Sequence, residues 1–99
     1  MKLIVAIVRP FVIDRLVVAL EDIENFPGLT VSDSTGFGQR LLAGTSDALN
    51  PFKANKRIEI AAEDELVEAI VAAIRQSAHT GKKGDGIIMI VPLEDTVLI

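Results

Sequence analysis

Two runs of aliphatic and β-branched residues, Lys2–Val8 (KLIVAIV) and residues 87–91 (IIMIV), lack the apolar–polar alternation of a half-exposed strand. A strand that is apolar at nearly every position is covered on both faces or lies in an interface. The chain therefore has to build a sheet around these runs and find a cover for each side of it. Arg9-Pro10 stops the first run and Pro92 the second, because proline has no N–H to continue a ladder.

Between the runs the period changes. Ile13, Leu16, Val17, Leu20 and Ile23 recur at helical spacing, with Asp14, Arg15, Glu21 and Asp22 largely on the other side, so the spacing predicts a helix over residues 14–23. Asn25-Phe26-Pro27-Gly28 breaks it. Residues 29–35 alternate, Leu29 and Val31 against Thr30 and Ser32, as a half-buried strand does. Residues 56–62 alternate likewise, with Ile58 and Ile60 against Arg57, Glu59 and Ala61. In the next helix Glu63-Asp64-Glu65 place negative charge in the first turn, where the macrodipole favours it. Leu66, Val67, Ile70, Ala73 and Ile74 form its apolar stripe, and Gly81 is a stop signal. Residues 96–99 read as the start of a short fifth strand.

The order β-α-β-β-α-β predicts an α+β fold, the ferredoxin-like sandwich: an antiparallel four-stranded sheet with two helices on one face, plus the short C-terminal strand. The 99 residues are expected to form one domain, with a long loop at about residues 37–55 rich in Gly, Ser, Thr, Asp, Asn and Pro. In the first strand Leu3, Val5 and Ile7 oppose Ile4, Ala6 and Val8, and both rows are apolar. A lone copy would leave one row wet, so a homo-oligomer packed through the sheets is the expectation.

Composition narrows the function. A net charge of −4 and a pI near 4.8 argue against a nucleic-acid-binding domain, which normally carries a basic face. The absence of cysteine removes disulfides, zinc–thiolate sites and thiol catalysis. The only histidine, His79, sits near the expected helix end, where a capping or surface role suits it better than catalysis. Residues 63–65 read as a solvated helix start rather than a metal site, so neither catalytic nor metal-ligating residues are assigned. The first apolar run is too short for a signal-peptide core, and no stretch reaches the roughly 20 apolar residues of a membrane span. A soluble cytoplasmic protein, not an enzyme, is expected.

What remains is glycine chemistry. Thr80-Gly81-Lys82-Lys83-Gly84-Asp85-Gly86 is a Gly-rich, Lys-bearing loop between the second helix and the last apolar run. Its glycines let the backbone turn and present N–H groups, and its lysines add positive charge, as a phosphate cradle requires. A solvated turn uses the same residues, with Asp85 bonding its own backbone. Gly36-Phe37-Gly38 is a second such segment, either a close approach to a ligand or simply the opening of a loop. Leu41, Leu42 and Phe52 are unusual loop residues, suited equally to local packing or to anchoring a partner; Thr45 and Ser46 are candidate modification sites.

Taken together, Met1-Lys2-Leu3-Ile4-Val5-Ala6-Ile7-Val8-Arg9-Pro10-Phe11, Gly28-Leu29-Thr30-Val31, Thr35-Gly36-Phe37-Gly38, Ile58-Glu59-Ile60, Asp64-Glu65-Leu66-Val67 and the Thr80–Gly86 loop resemble, in order, the segments of the P-II nitrogen-regulatory signalling family. The resemblance implies a homotrimer that binds adenine nucleotides in clefts between subunits and presses a mobile loop against a target, such as a membrane transporter or a metabolic enzyme. It places Ile7, Thr30, Gly36, Phe37, Gly38 and Ala61 on one side of the cleft, and Gly84, Asp85 and Gly86 on the facing subunit. Lys82 supplies charge in this scheme, and Gln39 or Arg40 orients a phosphate or small anion. The chain departs from the family where a lysine usually follows Gly-Asp-Gly: Ile87 stands there. Leu98 replaces the first of two C-terminal arginines, the second lies beyond Ile99, Gln39-Arg40 is in exchanged order, and the loop has no tyrosine. Fewer cations make ADP or AMP the expected effector before ATP, with no permanently bound cofactor. Divergent relatives of this kind are associated with transport and carbon systems, including bicarbonate handling.

Overall fold

The computed structural model of this chain describes residues 1–38, 52–82 and 84–99. The elements are β1 (Lys2–Val8), a 3-10 turn (Pro10–Val12), α1 (Ile13–Glu21), β2 (Thr30–Gly36), β3 (Lys53–Ala62), α2 (Asp64–Ala78) and β4 (Gly86–Pro92). The strands form one antiparallel sheet in the order β2-β3-β1-β4. This is the ferredoxin-like arrangement, and both helices cover the same face.

The pattern of burial explains the layering. Ile4, Ala6 and Val8 of β1 and Ile58, Ile60 and Ala62 of β3 point into a core shared with Leu16 and Leu20 of α1 and Ile70, Ile74 and Ala78 of α2. The helical stripes are those set by the 3.6-residue period. Each large aliphatic side chain in this layer contributes roughly 1.5–3 kcal/mol of transfer free energy. Pro10 opens the 3-10 turn at a position where its missing N–H costs nothing, and Asn25 (φ 64°) and Gly28 (φ 110°) carry the reversal into β2.

Three details differ from the sequence expectations. Val5 and Ile7, on the face away from the helices, are only 3% and 7% exposed in a single copy. Because β1 is central, they are flanked by Glu59 and Arg57 on β3 and by Met89 and Ile87 on β4, so neither row of β1 is wet. The exposed apolar surface moves to the edge strand, at Met89, Ile90 and Val91. Second, β2 is an outer strand and largely exposed rather than half-buried. Third, residues 96–99 form no strand and pair with none of the described residues, and Val97, Leu98 and Ile99 are exposed. Residues 53–55 belong to β3, and residues 39–51, which hold Gln39, Arg40, Leu41, Leu42, Thr45 and Ser46, lie outside the described residues.

Gly86 has no room for a side chain against β1. Its φ is 144°, and a Cβ there would lie 2.2 Å from the Ile7 carbonyl oxygen. At Gly28 φ is also positive, but a Cβ would meet nothing within 4 Å. Gly86→Ala is therefore expected to cost about 2–4 kcal/mol, combining dihedral strain with displacement of β1, whereas Gly28→Ala should cost only about 1–2 kcal/mol. Urea unfolding followed by circular dichroism checks the order of the two.

Candidate functional site

The glycine loop that follows α2 is organised by Asp85. The helix ends at Ala78, and His79 leaves it in an extended conformation. The Thr80 backbone N–H donates to Asp85 Oδ2 at 2.7 Å and the Thr80 hydroxyl donates to Oδ1. Arg9 Nε, at the end of β1, lies 3.5 Å from Oδ1, and His79 Nδ1 lies 3.8 Å from Oδ2. The Asp85 side chain, 19% exposed, thus closes the loop on itself and ties it to β1. Burial alone would raise its pKa, but the two Thr80 hydrogen bonds and the Arg9 and His79 charges outweigh burial and hold the carboxyl below its ordinary value. Gly81 (φ 83°) and Gly84 (φ 80°) take the positive φ angles that the closed loop needs.

The sheet register places the other candidate residues. Ile7 is buried on β1, opposite Ile87, and its carbonyl touches Gly86. Ile7, Gly84, Asp85, Gly86 and, at the loop's exposed turn, Lys82 thus gather at the β1–β4 side of the sheet. Gly36 ends β2 opposite Lys53, with Phe37 and Gly38 following. They lie at the same end of the sheet but on its other edge. Three strand spacings of about 4.8 Å separate β2 from β4, roughly 14 Å. Thr30, exposed, begins β2 opposite Glu59, and Ala61 stands two residues further along β3, opposite Leu3. A single copy therefore brings Ile7 to Gly84–Gly86 but leaves Gly36–Gly38 and the Thr30–Ala61 pair apart from them. Gln39 and Arg40 are outside the described residues.

Sequence reasoning passed over several groups here. Thr80 has no role in the sequence reading of the loop, yet both its amide and its hydroxyl bond Asp85 across the glycines. Phe52, expected either to pack locally or to anchor a partner, lies against Phe37 with ring centroids 5.6 Å apart and planes tilted by 45°; its pairing with Phe37 is what the sequence does not indicate. Asn55 is 2% exposed on β3; the Ser34 hydroxyl donates to its Oδ1, while its Nδ2 is buried without a hydrogen-bond partner. A lone Asn in an alternating strand carries no sequence signal of that kind. Among the described residues no group of three metal-ligating side chains forms, and residues 63–65 are an exposed helix start.

The family model described as Nitrogen regulatory protein P-II matches residues 1–99. The chain belongs to the P-II family. It is 39% identical to the nitrogen regulatory protein P-II of Azospirillum brasilense over all of this chain and 91% of that protein. It is 38% identical to that of Rhodospirillum rubrum and 36% to that of Bradyrhizobium diazoefficiens, each again over 100% of this chain and 91% of the relative. P-II proteins are regulatory signal transducers, not enzymes. No described helix is long and apolar enough to cross a membrane.

The clasp makes the P-II glycine loop pH-sensitive in one direction. A carboxyl whose folded pKa lies below 3.8 stabilises the closed loop fully above that value, and the contribution is lost as pH falls through the folded pKa. Hydrogen exchange at the Thr80 and Lys82 amides is expected to stay slow from neutral pH to about 4, after allowing for the intrinsic exchange rate, and to accelerate below it. Thr80→Val should speed exchange at all pH values, and Asp85→Asn should remove the acid transition.

Proposed function

We propose that this P-II protein senses an adenine nucleotide, or a small anion, in a cleft between copies of itself and reports it to a target protein through the segment joining β2 to β3. The observation that carries this reading is the strand order. The two glycine segments occupy the two opposite edge strands at one end of the sheet, so a neighbouring copy has to supply one of them if both are to meet the same ligand. A closed ring of copies gives every β2 edge a β4 edge, and a trimer is the ring that the resemblance implies. The exposed Met89, Ile90 and Val91 provide apolar surface for it.

The residues present fit such a ligand. Gly38 (φ 139°) and Gly81 (φ 83°) stand where even an added Cβ would meet nothing within 4 Å, so a ligand can approach the backbone closely at both segments. Ile87 and Leu98 supply no cations for a phosphate tail. Each charge-assisted phosphate contact contributes about 1.5–3 kcal/mol, so two missing ones weaken a triphosphate by roughly two to four orders of magnitude. ADP and AMP are therefore the favoured effectors, with bicarbonate the small-anion counterpart, and a transporter or a metabolic enzyme the class of target.

Light scattering on the eluted protein is expected to give three copies per particle, and Met89→Glu combined with Val91→Glu to give monomers. Calorimetry on the trimer is expected to show ADP or AMP binding at least as tightly as ATP. A wild-type monomer at micromolar concentration sinks the cleft. A trimer silent toward all three nucleotides and bicarbonate points instead to an interaction module that kept the assembly and lost the ligand, the reading that Ile87 and Leu98 favour.

A further inference from the structure

The helix side of β4 carries a groove that the glycine segments do not account for. The register sets Ile88 against Ala6 and Ile90 against Ile4, both core residues beneath the helices, while Met89 and Val91 alternate to the opposite face. Because β4 is an edge strand and α2 packs chiefly over β1, the helix layer stops short of it. Ile88 and Ile90 of β4 and Val71, Ile74 and Ala78 of α2 line the resulting cavity of about 480 Å³, with Arg75 at its outer wall. Ile90 is 50% exposed there.

Val71, Ile74, Arg75 and Ala78 recur at i, i+3, i+4 and i+7, so they form one stripe of α2, and Arg75 is the charged member of it. Ile74 is buried, and Val71 and Ile88 pack partly against the core, so the floor of the groove is fixed. Arg75 is exposed and forms no ion pair among the described residues. The upper end of the groove, by contrast, is unsuited to an anion. Asp85 lies there, its oxygens already accepting from Thr80 with Arg9 and His79 beside them. Among the described residues lining the groove, Arg75 is the cation left for a negative group to meet.

We propose that this groove binds a free medium-chain carboxylate, with its alkyl chain between α2 and β4 and its head on Arg75. The stripe from Val71 to Ala78 spans about 10 Å of helix, at about 1.5 Å per residue, which holds a chain of medium length laid along it. Aliphatic walls with one polar anchor are the usual make-up of a small-molecule site of this size. The two parts of the ligand do different work. Its chain supplies affinity by leaving water. Its carboxylate, on an exposed and screened arginine, adds less but decides which end of the molecule faces out. Arginine suits that task because its planar fork takes both carboxylate oxygens at once. An assembly that turns Met89 and Val91 inward leaves the helix side of β4 outward, and the inference does not rest on the nucleotide cleft.

The test uses the full chain, labelled for amide NMR, and three probes kept below micellisation: hexanoate, octanoate and octanol. Octanoate is expected to shift the amides of Val71, Ile74, Arg75, Ile88 and Ile90. Affinity should rise by about twofold to fourfold per added methylene from hexanoate to octanoate, as burial of the chain requires. Arg75→Gln should weaken octanoate at least about threefold and leave octanol unchanged, whereas Ile90→Ser should weaken both. Should Ile90→Ser fail to fold by circular dichroism, Arg75→Gln, an exposed change, carries the comparison with octanol. Equal binding of hexanoate and octanoate overturns the proposal, as does an octanoate affinity that Arg75→Gln leaves untouched. So do shifts confined to the Gly36–Gly38 and Thr80–Gly86 segments, no shift at all, or a groove filled by another copy in the ligand-free assembly.

Discussion

Full-length pairing of β1 on both sides is the constraint from which the remaining structure follows. Lys2–Val8 meets Ala62–Lys56 on one flank and Pro92–Gly86 on the other, residue for residue. A strand so placed must be apolar on both faces, because one face meets the helices and the other is shut in by the side chains of its neighbours. It also fixes which strands are left at the edges. β2 and β4 each have one unpaired side, and each carries one glycine segment at the same end of the sheet. The closeness of β1 to β4 then limits what can stand at position 86. Ile7 presents its carbonyl where a Cβ would be, so glycine there is a packing requirement before it is a ligand contact.

That distinction matters for the loop before it. Asp85 has the look of a ligand-binding carboxylate, and its surroundings are polar. Yet its oxygens accept from Thr80 and lie near Arg9 and His79, all from the same chain. Its local work is to tie Thr80 to β4 around Gly81 and Gly84, both at positive φ angles. A loop closed by its own acid costs less to order on binding than an open one.

Much of the fold was legible because it depends on periodicity. Both helical stripes, the alternation of Ile58 and Ile60 with Arg57 and Glu59, and the two unbroken apolar runs follow from which face of an element meets the core. The failures share one cause: neighbours are invisible in a linear pattern. Val5 and Ile7 are dry because Arg57, Glu59, Ile87 and Met89 flank them, and residues 96–99 form no strand because none of the described residues pairs with them. The site was legible as a set of glycine segments. The Thr80–Asp85 clasp, the Phe37–Phe52 pair and the buried Asn55 Nδ2 were not, since each is a relation between residues that only the tertiary fold brings together.

The proposed cleft would tie recognition to assembly. If the glycine segments of β2 and β4 have to come from different copies, a ligand that bridges them binds the assembled state and not the separated one. Mass action then requires that the ligand strengthen the assembly by as much as the assembly strengthens the ligand's hold. The energy for any change in the β2–β3 segment has to come from that same difference in affinity, since a ligand that binds two states equally shifts neither. Phe37 and Phe52 stand where such a change would pass, one following Gly36 at the end of β2 and the other preceding Lys53 at the start of β3. A ligand seated against Gly36–Gly38 would therefore act on the neck of the segment before it acted on the segment itself.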